Sequence, residues 1–335
     1  MPGHDFQKIF DQFRRLKIMV VGDVMVDAYI FGRVDRISPE APVPVVTVEK
    51  RVSRLGGAAN VALNLKSLGA EPILCSVTGE DPKGEEFRNL LADAGISYEG
   101  ILTSRDRLTT TKFRILGNKT QMLRVDEEVT HDLIPGDQAN LLDKITGIID
   151  SRTIDAIILQ DYNKGILTAG LIRQVIDKAR KSGIPVAVDP KKKNFLEYKK
   201  ATLFKPNLKE LRDGLNLDIP FEDNEALKQA ASFLHREIGS EMIMTTLSER
   251  GVFISHSGNG GRLIQQVVPA HVRKISDVSG AGDTVISVAA LCLACGLEPS
   301  IIAALANLAG GLVCEEIGVV PVNRERLIAE ALNLL

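Results

Sequence analysis
Six short runs of apolar, β-branched residues recur along this chain with helical patterns between them: Ile18 to Val21, Ile73 to Val77, Ala156 to Leu159, Pro185 to Val188, Leu203 to Lys205 and Met242 to Thr245. Strands that alternate with helices join through βαβ crossovers, so the expected fold is α/β, a mainly parallel sheet covered by helices on both faces. Several runs end in polar or glycine residues: Gly22-Asp23, Gln160-Asp161, Asp189-Pro190, Pro206-Asn207 and Thr246 to Ser248. In an open parallel sheet, ligands sit beyond the carboxyl ends of the strands, which is where these residues fall. The 335 residues suffice for one large core, so a single domain over 1–335 is expected. Two segments break the rhythm. Ala28 to Val48 carries Pro39, Pro42 and Pro44 among valines and reads as edge-type extended chain, and Thr109 to Asp126 reads as a hairpin about Gly117-Asn118. Together they are expected to form a small β lid over the strand ends.

Charge narrows the partners. The 41 basic and 43 acidic side chains nearly cancel, and no basic stripe or polybasic run points to nucleic acid or to a membrane. A small molecule is the expected ligand. His4, Asp5, Lys8 and Asp11 interrupt the start, unlike a secretory signal, and Val285 to Leu297 is too short to span a bilayer, so a cytoplasmic location is expected. Cys292 and Cys295 form a C-x-x-C inside an apolar helical run with no second ligand pair, which favours packing over metal or redox chemistry.

Three motifs carry chemistry. Asp277-Val278-Ser279-Gly280-Ala281-Gly282-Asp283-Thr284 precedes a long apolar helix. The glycines leave the backbone open, the helix start offers free amides and positive dipole to an anion, and Asp283 adds a carboxylate able to accept a hydroxyl proton. A bare G-x-G-D would equally suit a helix start. Gly56-Gly57-Ala58-Ala59-Asn60 opens a second helix and suits sugar hydroxyls, unless Asn60 is only a cap. Asn207-Leu208-Lys209-Glu210 sets an amide and a carboxylate on one helical face, fit for hydrated magnesium or for a capping box.

In this order and spacing the motifs resemble the ribokinase, or PfkB, family of carbohydrate kinases, with Thr246-Leu247-Ser248-Glu249-Arg250-Gly251 similar to its nucleotide loop. The resemblance covers nearly the whole chain, and no Walker A motif competes with it. It implies a ribokinase-like fold, ATP and Mg2+ as cofactors, and admits a monovalent cation. Asp283 would be the base, and the amides of Gly280, Ala281 and Gly282 the anion hole. Asn207 and Glu210 would organise the metal, with Leu208 and Lys209 in the same ATP-binding element. Thr246, Ser248 and Gly251 would line the nucleotide groove, with Asn307 beside the adenine. Asp27, Gly56, Gly57 and Asn60 would hold the sugar. The family often has glycine where Ser248 stands and a polar residue where Met25 stands.

Gly32 to Val45, Thr110 to Arg114, Gln121 to Glu127 and Asp277-Val278-Ser279 resemble the branch of that family that phosphorylates D-glycero-β-D-manno-heptose 7-phosphate on its anomeric hydroxyl, in ADP-heptose synthesis. Many of its members are fused to a nucleotidyltransferase, an activity expected to reside elsewhere because this chain stops at Leu335. Lys112 and Arg114 share one face of a strand, and Lys164 and Lys191 follow strand ends, so these four are the expected ligands of a substrate phosphate, with Lys193 a further cation nearby. Val43, Val45, Phe113 and Ile115 on the lid predict a homodimer joined through it. The rival readings are a kinase of another sugar phosphate such as fructose 6-phosphate, and a catalytically silent regulator that binds sugar or nucleotide.

Overall fold
The computed structural model describes residues 5–335, so His4 lies outside the described residues. In chain order the elements are α1 (Phe6–Phe13), β1 (Lys17–Gly22), β2 (Val24–Ile37), β3 (Pro44–Gly57), α2 (Ala58–Ser67), β4 (Glu71–Gly79), α3 (Pro82–Asp93) and β5 (Ile101–Ser104). There follow β6 (Thr111–Gly117), β7 (Thr120–Glu127), α4 (Pro135–Ser151), β8 (Ala156–Gln160), α5 (Ala169–Lys181), β9 (Val186–Asp189), β10 (Leu203–Phe204), α6 (Leu208–Leu215) and α7 (Asn224–Ile238). The remainder is β11 (Met242–Thr246), β12 (Val252–Ser257), β13 (Leu263–Val268), α8 (Ala281–Ala294), α9 (Pro299–Val313) and α10 (Arg324–Leu334).

All six apolar runs become neighbours in one nine-stranded sheet of order β13-β12-β11-β10-β9-β8-β1-β4-β5. It is parallel from β11 to β5, and only β12 and β13 run antiparallel to their neighbours. Both faces are covered, which is why the runs are apolar throughout instead of alternating. Along β1, Ile18 and Val20 enter a core shared with α1, α2, α8, α9 and α10, while Met19 and Val21 enter one shared with α4 to α7. Cys292 is fully buried in the first core, and burial pushes its thiol pKa well up, as suits a packing residue.

The segments that broke the rhythm form a separate four-stranded sheet, β3-β2-β6-β7. It reaches further than expected: a single residue, Asp23, separates β2 from the end of β1, and β3 runs on to Gly57, the cap of α2. Pro39 and Pro42 lie in the turn between these strands, and Pro44 opens β3, an edge strand. Asn118 and Lys119 take φ of 51° and 68°, the left-handed pair of a tight hairpin between β6 and β7. Asp27, Gly56 and Gly57 are thereby built into the base of this lid, above the carboxyl ends of the large sheet.

Candidate active site
Helix α8 starts at the mouth of the sheet. Gly280 caps it with φ 82°, a left-handed conformation that favours glycine, and the first helical bond is donated by Thr284 to Gly280 O at 3.0 Å. Ala281 donates its amide to Val278 O at 3.3 Å, so of the three expected anion-hole amides those of Gly280 and Gly282 remain, joined by that of Asp283. A Cβ on Gly282 would lie 3.8 Å from Asp189 Oδ2 and 3.9 Å from Lys205 Nζ. Lys205, directly after β10, is only 2 % exposed and pairs with Asp189 Oδ2 at 3.1 Å. Its sequence signal was slight: one lysine closing an apolar run.

Asp283 is buried on the first turn of α8. Its Oδ2 accepts from Asn60 Nδ2 at 2.7 Å, and its Oδ1 accepts from Tyr162 Oη at 2.7 Å and Gln160 Nε2 at 3.2 Å. Burial pushes the carboxyl up to about 6 against the pull of the Asn60 and Tyr162 hydrogen bonds. Asn60 is therefore no mere helix cap. The α2–α8 contact holds the pair in register: Thr284 Oγ1 donates to Asn64 Oδ1 at 3.0 Å, and Asn64 Nδ2 to Asn60 O at 2.9 Å. Asn60 Oδ1, Gln160 Oε1 and Asp189 Oδ1 are buried without hydrogen-bond partners. Buried acceptors without a partner are costly, so each invites a donor from outside the chain.

The glycine pair also allows close packing inside the lid base. A Cβ at Gly56 would meet Asp27 Oδ2 at 2.5 Å and one at Gly57 would meet Asp23 O at 2.4 Å, so these glycines make room for the protein's own groups. Asp27 is buried and bonded by Arg114, whose guanidinium lies 5.3 Å from the Tyr29 ring centre. Arg114 is thus committed to a carboxylate and is not a free phosphate ligand. Lys112 and Lys164 do converge, on Glu128 at 3.5 Å and 2.7 Å, with Lys112 also 3.0 Å from Asp126. Lys191 departs from that group: it bonds Glu210 and lies 3.8 Å from Asp189. Lys193 pairs with Asp132 at 2.8 Å.

Asn207 and Glu210 form the capping box that their spacing allowed, each side chain accepting the other's amide at 2.8 Å. The box leaves Leu208 buried in the core and Lys209 exposed. The nucleotide-loop residues come together as expected from their order. Asn207 bridges to Thr246, Ser248 takes φ 51°, and Gly251 closes the turn with its amide on Ser248 O at 3.0 Å. Ser248 thus holds a left-handed conformation that glycine adopts without strain. Asn307 on α9 donates to Pro269 O at 2.9 Å, just past β13.

Magnesium fits this site as a guest of phosphates. Glu210 shares its carboxylate with Lys191 and the Asn207 amide, Asp189 has one oxygen without a hydrogen-bond partner, and among the described residues no cluster of three His, Cys, Asp or Glu forms a protein cage. Mg2+ commonly needs one or two carboxylates, its own waters and the nucleotide.

A helix amino terminus beside a buried carboxylate, at the carboxyl edge of a parallel sheet, suits phosphoryl transfer. The profile of the pfkB family carbohydrate kinases matches residues 15–326, and the chain belongs to that family. It is 37 % identical to the bifunctional protein HldE of Citrifermentans bemidjiense, over 98 % of this chain and 66 % of that protein. The HldE of Caulobacter vibrioides is 41 % identical, over 93 % and 62 %. The chain thus spans somewhat less than two thirds of the length of such relatives. Phosphofructokinase-2 from Escherichia coli, solved with potassium, superposes with a TM-score of 0.75 at 19 % identity, over 94 % of this chain and 98 % of that one. Ribokinase of Arabidopsis thaliana, solved with ribose and ATP, gives 0.70 at 19 %, over 93 % and 98 %. The fold is therefore ribokinase-like, and among the described residues no helix is long and apolar enough to cross a membrane.

Proposed function
We propose that residues 1–335 act as one kinase domain that transfers the γ-phosphoryl group of ATP to the anomeric hydroxyl of D-glycero-β-D-manno-heptose 7-phosphate, giving the 1,7-bisphosphate for ADP-heptose synthesis in the cytoplasm. The observation that carries it is the joint presence of buried Asp283 at the α8 start and 37–41 % identity to HldE proteins over nearly all of the chain. Asp283 takes the hydroxyl proton while Asn60 and the lid base around Asp27 hold the sugar. The free amides of the α8 start and Lys205 face the phosphoryl group and neutralise charge as it transfers. ATP lies along the Thr246 to Gly251 turn toward Asn307. Mg2+ would supply charge neutralisation of the phosphates, with Glu210 and Asn207 as the residues that would hold it, and a monovalent cation would be a further cofactor. With heptose 7-phosphate, ADP release should far exceed that with fructose 6-phosphate. The reverse ranking would favour a phosphofructokinase, and no release with either sugar would favour a silent regulator.

Glu210→Gln should raise the magnesium concentration for half-maximal rate several-fold, because the amide keeps the cap acceptor but loses the charge. A magnesium titration that does not move would reduce Asn207 and Glu210 to a helix cap.

We also propose that two lids pair. On the face away from Asp27, Ile115 stands between Ile30 and Leu123, and Phe113 stands opposite Val125. Leu123 and Val125 are 54 % and 42 % exposed on an edge strand, a surface that a second copy would cover. Phe113 already packs under Lys83 at 5.3 Å, so Leu123 and Val125 are the cleaner positions to change. Leu123→Glu with Val125→Glu should give monomers with weakened sugar binding, read by sedimentation and KM. A wild-type monomer at micromolar concentration would contradict the pairing.

A further inference from the structure
The carboxylate of Asp283 has two oxygens in unequal surroundings, and the difference originates in the loop after β8. Each oxygen has two lone pairs. Oδ1 has both engaged, by Tyr162 Oη at 2.7 Å and Gln160 Nε2 at 3.2 Å. Oδ2 has one engaged, by Asn60 Nδ2 at 2.7 Å. We propose that Tyr162 is a positioning residue that closes Oδ1 and so presents Oδ2 as the atom of Asp283 that receives the substrate proton. This deepens the reading of Asp283 as the base and rests on it.

Three further features support the assignment. Tyr162 is anchored from behind: its own amide donates to buried Asp23 Oδ2 at 2.7 Å, and Asp23 also accepts the amides of Lys164 at 3.1 Å and Ile166 at 3.0 Å. The loop is thus pinned by a carboxylate, and the phenol is aimed at α8 with little freedom. The phenol is held as a donor as well, since burial and the neighbouring Asp283 charge raise its pKa well above the ordinary tyrosine value. Finally, Asn60, the donor on the open oxygen, has its own buried Oδ1 unpartnered. A sugar with vicinal hydroxyls can therefore donate one proton to Oδ2 and a neighbouring hydrogen bond to Asn60 Oδ1. The proton leaves the acceptor oxygen for Oδ2 as that oxygen bonds phosphorus, and the leaving ADP carries away the electron pair of the broken P–O bond.

The charged groups around Asp283 are Asp189 at the end of β9, Lys205 just after β10 and Lys191, with Asn60 and Gln160 as neutral donors. None is altered by Tyr162→Phe, which removes one hydroxyl and keeps the ring that lies 5.5 Å from Lys191 Nζ. A hydrogen bond to a charged acceptor is strong enough for its loss to cost about tenfold in rate and to move a pKa by about one unit. The ionised form loses a donor, so the folded pKa of Asp283 rises, and the acid limb of the kcat profile moves to higher pH by about one unit. Plateau kcat falls about tenfold while KM for ATP stays put. Any titration of the substrate's phosphate is common to both enzymes and cancels in the comparison. A purely structural role for Tyr162 would lower stability without moving the limb. The test is kcat against pH for wild type, Tyr162→Phe and Asp283→Asn. A moved limb in Tyr162→Phe together with an inactive Asp283→Asn is the expected result. An unmoved limb with an inactive Asp283→Asn overturns the role of Tyr162 alone, whereas an active Asp283→Asn overturns the base itself.

Discussion

Asp283→Asn is expected to lower kcat by about 10² to 10⁴ and to leave ATP binding nearly unchanged. The substitution preserves shape at a buried position: its oxygen keeps the Tyr162 and Gln160 hydrogen bonds of Oδ1, and Asn60, whose own Oδ1 is unpartnered, accepts from the new amide nitrogen once its side-chain amide turns over. What is lost is the proton acceptor. The wild type should also lose activity as pH falls below about 6, because burial raises the Asp283 carboxyl to about 6 and its protonated form cannot accept a proton. At higher pH the group is ionised and the rate reaches a plateau. Steady-state kcat for the variant checks the first expectation, and the wild-type pH profile checks the second. A variant with near-normal kcat would remove Asp283 from the chemistry.

The second large effect concerns the acceptor's own phosphate. Heptose without its 7-phosphate should lose kcat/KM by about 10² or more, because binding energy from a remote group can orient the reacting hydroxyl. The mouth of the lid supplies the cations: Lys112 and Lys164 meet on Glu128, and Arg54, whose guanidinium bonds Val319 O at 3.3 Å, lies 5.3 Å from the Tyr29 ring centre opposite Arg114's partner Asp27. A phosphate entering there would replace Glu128 as the partner of two lysines. Arg114→Ala is a poor probe, since it strands the buried Asp27 carboxylate and should damage use of both sugars. Lys164→Met keeps the stem and should weaken use of the phosphorylated sugar several-fold while barely touching the other. Equal kcat/KM for the two sugars in the wild type would remove the phosphate from recognition.

The fold was legible where residues carry a local signal. Each of the six apolar runs became a strand of the large sheet, because a strand buried on both faces must be apolar throughout. The lid was legible from its prolines and from Gly117-Asn118, although its strands extend to Val24 and Gly57. The antiparallel edge made by β12 and β13 was missed: Val252–Ser257 and Leu263–Val268 are joined by a short glycine turn, with no helical pattern between them to set them into the βαβ rhythm. In the site, motifs on one stretch of chain were readable, and partnerships between stretches were not. Tyr162 reaches Asp283 across 121 positions, and Glu128 is bound to lysines from two different elements. Neither residue stands in a motif, so only the folded arrangement shows that Asp283 is held from behind and that the cations are already paired.

ATP turnover on synthetic D-glycero-β-D-manno-heptose 7-phosphate, with the phosphate positions of the product read by NMR, tests the proposed reaction most directly. One ADP released for each sugar that gains a second phosphate, on the anomeric carbon, is the expected result. Turnover only with another sugar phosphate, or phosphate placed on any other carbon of the heptose, would contradict it.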